Sequence, residues 1–195
     1  MLIEERKYNK NSSYNILLGP KIGKVLSQTN SAVIGIGNQL ETWIENNCSL
    51  KNVLFKKKID VNENKKIEPD MVYDDGKCVH IFEIKLGIDF DTKKSKAEIA
   101  NLIKLKNHFL KIKSDVKLYF VSFLADDKNS IKKGLKSCDN LDEVNLLTGK
   151  EFSDWIGADY NLFRKTYNKN YKQNLKYLYD NIEKELEKIT NETYI

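Results

Sequence analysis

The chain has 195 residues, 31% of them charged, with 33 basic side chains against 28 acidic, a formal excess of +5. That length suits a single domain, residues 1–195, with room for a real core. No run is long and apolar enough for a membrane span, and residues 1–11 are charged rather than leader-like, so a cytoplasmic protein without membrane attachment is expected. Three cysteines with no Cys-X-X-Cys spacing argue against a disulfide framework or a zinc site.

Ahead of the informative segment, residues 35–44 read as a helix with Ile36, Leu40, Trp43 and Ile44 on one face. Residues 52–61 read as a first strand. Asp70 to Tyr73 forms a second, beginning after Pro69, whose missing N–H does least harm at a strand start. Asp74-Asp75-Gly76-Lys77 is a hairpin signal, and residues 78–86 pair back as a third strand.

Acid-X-Lys occurs seven times in this lysine-rich chain. Only Glu83-Ile84-Lys85 sits in an apolar run, beside Ile81, Phe82 and Leu86, as a buried strand requires. Side chains two apart leave one face of a strand, so Glu83 and Lys85 stand together and Ile84 points away. Two buried charges need partners or a ligand. The hairpin can bring Asp70 close to Glu83, two carboxylates fit for one magnesium ion, with Lys85 free to reach water or phosphate.

Pro69-Asp70 and Glu83-Ile84-Lys85 resemble, in order and separation, the two motif halves of the PD-(D/E)XK nuclease superfamily. The layout is most like a type II restriction endonuclease. The resemblance implies an α/β fold with an αβββαβ core over residues 32–125, a mixed central sheet flanked by helices, and a C-terminal helical extension over 148–190. It implies a Mg2+-dependent enzyme, with Mn2+ able to substitute, cutting double-stranded DNA as a homodimer. Asp70, Glu83 and the backbone carbonyl of Ile84 would hold the metal, and Lys85 would act on water and phosphate. The superfamily often places an acid on the preceding helix. Glu41 is the best match, with Glu45 as the alternative. Another nuclease of the same superfamily, in repair, junction resolution or mobile-element function, or a non-catalytic DNA-binding subunit, would share these features.

Downstream, Ser95 and Glu98 read as a capping box opening a helix striped by Ile99, Leu102, Ile103, Phe109 and Leu110. Eight lysines against two acids between residues 93 and 117 form a basic segment, and Lys93, Lys94 and Lys96 are the candidate DNA-phosphate contacts; the plain alternative is a solvated face. With only Arg6 and Arg164, base reading must rely on Lys, Asn and Gln. Residues 116–125 read as a buried strand and 126–145 as a polar connection, a candidate DNA-contacting loop. Thr148 and Glu151 form a second capping box before a short helix ended by Gly157. A long helix over residues 161–189 carries an apolar stripe from Phe163 through Tyr167, Tyr171 and Leu175, read as core cover, with stacking on bases or a dimer seam as alternatives. Cys78 and His80 read as strand residues rather than a nucleophile and its base.

Overall fold

The computed structural model describes residues 13–62 and 65–192. They fall into two compact units, one from the described parts of Met1–Trp43 and Asn161–Ile195, the other Ile44–Tyr160.

The second unit is built on a five-stranded mixed sheet. Its strands are β1 (Val53–Phe55), β4 (Met71–Asp74), β5 (Cys78–Lys85), β6 (Asp115–Ser122) and β7 (Val144–Thr148), side by side in that order. Strand β4 runs antiparallel to both its neighbours, β1 and β5, and β5, β6 and β7 are parallel. Parallel pairs need crossovers, and α2 (Thr92–Phe109) and α3 (Lys128–Gly134) supply them. Strand β5 lies at the centre and alternates its side chains between two layers. Val79 and Ile81 join Leu118 and Phe120 under Ile99, Leu102 and Leu105 of α2 and Ile131 of α3. On the opposite face Phe82 and Tyr119 stack with centroids 4.5 Å apart, against Phe152 and Trp155 of α4 (Gly149–Ile156). The mixed sheet flanked by helices is the architecture expected from the sequence.

Several boundaries differ. The expected strand 52–61 is broken, because Lys56 takes a positive φ of 47°; its second half becomes β2 (Ile59–Asn62), paired with β3 (Lys65–Ile67) in a separate hairpin. Helix α2 starts earlier than expected. Its N-cap is Asp91, which accepts from the Lys94 N–H at 2.6 Å, leaving Ser95 buried inside the helix, so Ser95 and Glu98 are not a capping box. Of the expected stripe, Leu110 is exposed and Leu105 is buried in its place. The polar connection 126–145 contains α3, capped by Asp127, and leads into β7, a strand the sequence pattern does not reveal. The Thr148–Glu151 capping box and the left-handed Gly157 that ends α4 are both present.

In the first unit, α1 (Ser13–Asn47) is far longer than residues 35–44, its last turn belonging to the second unit, and α5 is Tyr160–Glu192. Phe163 is buried, with Trp43 edge-on at 5.1 Å. Farther along, the stripe does not cover core: Tyr171 and Leu175 are each 48% exposed. None of the described helices is long and apolar enough to cross a membrane.

Candidate active site

The hairpin joining β4 to β5 sets the geometry. Asp74 accepts from the Gly76 N–H at 2.9 Å and Asp75 from the Lys77 and Cys78 N–H groups at 2.8 and 2.6 Å; Gly76 takes φ +90°. Those bonds fix the register, whose last pair is Met71 opposite Phe82; continuing it by one step would bring Asp70, just outside the strand, level with Glu83.

Pro69 then matters. The Asp75 N–H bonds the Cys78 carbonyl, and bonded pairs in an antiparallel ladder alternate, so the next such pair past Met71 and Phe82 would be Pro69 with Ile84. Proline has no N–H to offer the Ile84 carbonyl. The Ile84 N–H is instead taken by Asp70 Oδ2 at 2.6 Å. The Asp70 carbonyl in turn accepts from the Lys56 N–H at 3.2 Å, the residue whose turn breaks the first strand. Asp70 is thus held from both sides, and the Ile84 carbonyl, at the same strand position as the N–H that Asp70 accepts, receives no ladder donor from proline.

Glu83 and Lys85 share the face of β5 that Val79 and Ile81 turn toward α2. Lys85 Nζ donates to Glu83 Oε1 at 2.5 Å and to Glu98 Oε1 at 2.8 Å. Only 13% of each glutamate side chain and 25% of the lysine is exposed. Glu98 is the site residue that sequence reasoning missed, its spacing from Ser95 having suggested a cap. A signal existed: it lies three after Ser95, one before Ile99 and four before Leu102, on the edge of the inward stripe.

Burial pushes the Glu83 carboxyl up to about 8, with Asp70's charge adding and Lys85 opposing. Burial also works against the Lys85 charge, but Glu83 and Glu98 outweigh it and hold the ammonium above its ordinary range. Burial and the neighbouring Asp70 charge thus weight Glu83 toward its protonated form, against the pull of the Lys85 ammonium. A cation beside Asp70 and Glu83 would replace that proton. Among the described residues no group of three or more His, Cys, Asp or Glu is arranged to hold a metal, so a metal here would rest on two carboxylates and backbone.

Lys93, Lys94 and Lys96 are exposed on the first turns of α2, and Lys94 Nζ comes within 3.9 Å of Glu98 Oε1. Glu41 belongs to the first unit and is half-buried on α1; Glu45, one turn on, is exposed. Cys78 and His80 are buried strand residues. His80 is hydrogen-bonded to Tyr119 and Asp75, both at 3.1 Å, and burial pushes the Cys78 thiol up to about 11, unfit for a nucleophile.

No family model matches the chain. Among characterised proteins it is similar to the type II restriction enzyme HhaII of Haemophilus parahaemolyticus, 30% identical over 198 aligned positions that cover 86% of each chain.

Proposed function

Since the chain belongs to the type II restriction enzyme family, we propose that it is a magnesium-dependent endonuclease that hydrolyses phosphodiester bonds at a specific sequence of double-stranded DNA. The observation that carries the chemistry is the cluster at the end of the central strand. Asp70, Glu83, Lys85 and Glu98 meet there beside a layer of Val, Ile, Leu, Phe and Ala side chains. Such a concentration of partly desolvated charge belongs to a working site.

The donors fit magnesium, a hard cation that binds through one or two carboxylates, keeps waters and completes its shell with substrate phosphate. Asp70, Glu83 and the Ile84 carbonyl would hold it, and manganese would substitute. When bound, the ion supplies charge neutralisation at the phosphate and a water of lowered pKa. The chain's own groups do the rest. Lys85, kept charged by its two carboxylates, donates to the phosphate oxygen as water adds to phosphorus and the bond to the sugar oxygen breaks. Asp70 stays aimed because the Ile84 N–H fixes one of its oxygens. Glu41 enters this reading on the resemblance alone.

Lys93, Lys94 and Lys96, beside the positive end of α2, suit the backbone of DNA. The exposed Tyr171 and Leu175 suit a seam between two copies, as a dimer matching a two-fold DNA site would need. The test is a pair of substitutions. Asp70→Asn should abolish cleavage together with the heat of Mn2+ binding in calorimetry, whereas Lys85→Ala should abolish cleavage and keep that heat. A variant of either kind that cuts at the parental rate would overturn the assignment.

A further inference from the structure

Glu98 occupies an unusual place. Helix α2 turns Ser95, Ile99, Leu102 and Leu105 inward, all buried, and Glu98 lies on the margin of the same stripe. A carboxylate so placed is costly unless it is paired. Its Oε1 accepts from Lys85 Nζ at 2.8 Å, and its Oε2 is buried with no hydrogen-bond partner. The pairing is not forced by local sequence, since Glu98 lies on a helix and Lys85 on the strand beneath it. Lys85 already has a nearer partner in Glu83 on its own strand.

Two acids on one ammonium differ in what else they face. Glu83 also feels the charge of Asp70, whose carboxylate is bonded to the N–H of the next residue, Ile84. Glu98 faces the lysine from the other element, on a helix anchored by its apolar stripe. We infer that Glu98 is a positioning residue, the counter-ion that keeps the Lys85 ammonium aimed at the reacting phosphate independently of Glu83. This inference rests on the proposed nuclease reading. Glu83 is thereby left free for the cation, and Glu98 keeps its second oxygen buried as an open acceptor. Rigid support of this kind is what a catalytic side chain on an element terminus needs to hold its geometry.

The test uses the full chain carrying Glu98→Gln, close in shape, and Glu98→Leu, which extends the apolar stripe and tolerates burial; circular-dichroism melting confirms that each folds. In metal-free protein, acetylation by acetic anhydride followed by peptide mass spectrometry should show Lys85 modified several-fold faster in both variants. With DNA and Mg2+, turnover should fall by about 10-fold to 100-fold, the usual loss when a group orienting a site residue is removed, while half-saturating DNA and calorimetric Mn2+ affinity stay at the parental values. Parental labelling of Lys85 together with parental turnover would overturn the inference. So would loss of Mn2+ affinity as large as that of Glu83→Gln, which would make Glu98 a ligand. Should the parent protein neither bind Mn2+ nor cut DNA, the nuclease reading falls, and Lys85 labelling still decides what Glu98 does.

Discussion

Glu83→Gln should stabilise the metal-free protein, and the gain should grow with pH. In the unfolded chain this carboxyl ionises near its ordinary 4.5, whereas in the fold burial and Asp70 hold it to about 8. Between those values the native state binds more protons than the unfolded one, so this residue's contribution is fully present below pH 4.5 and is lost as pH rises through 8. With 1.36 kcal/mol per pKa unit, the loss is about 1 kcal/mol at pH 5 and about 3 kcal/mol at pH 7. Glutamine resembles the protonated form and cannot ionise, so it escapes that loss. The assay is urea unfolding of both proteins in EDTA at pH 5, 6, 7 and 8. Their difference in unfolding free energy should widen by about 2 kcal/mol between pH 5 and 7. Parallel curves would show that Glu83 is not the residue holding the proton and would remove the electrostatic basis of the site.

Replacing Lys93, Lys94 and Lys96 together should weaken binding to all DNA sequences alike, and the slope of log affinity against log salt should drop by about 0.9 for each phosphate no longer neutralised; an unchanged slope in a salt titration would make them an ordinary solvated turn. Glu41→Gln should cost about 100-fold or more in cleavage rate if that acid serves the reaction, with Glu45→Gln near parental, and the reverse result would move the role to Glu45. Gly149→Ala should be destabilising, because the added Cβ would lie 2.2 Å from the Phe123 carbonyl oxygen and 2.7 Å from its Cα, backbone atoms that cannot swing aside. About 3 kcal/mol and a melting shift of roughly 6–12 °C are expected, read by thermal denaturation.

The hairpin and its acids were legible because three local signals agreed: the Asp-Gly turn, the apolar run on either side of Glu83, and a proline at the start of a strand. Long-range partners were not. Glu98 follows Ser95 by three, the same pattern that a capping box shows, and only Asp91 farther upstream, together with packing on the sheet, decides that the helix starts earlier and that Glu98 serves Lys85. The break at Lys56 depends on a left-handed residue in a run of three lysines, which composition does not mark. Strand β7 is five residues long behind a polar stretch, and its place is set by pairing with β6. Spacing on α5 correctly gave a stripe, but a stripe does not say what covers it, and Tyr171 and Leu175 are half exposed.

The central claim is sequence-specific, metal-dependent cleavage, and the most direct measurement is incubation of the full chain with a mixed-sequence plasmid in Mg2+ and, in parallel, in EDTA. Discrete fragments of reproducible size in Mg2+, and none in EDTA, are the expected result. A smear would contradict sequence specificity, equal cutting in EDTA would contradict the metal, and intact but retarded plasmid in Mg2+ would make the chain a DNA-binding protein rather than an enzyme.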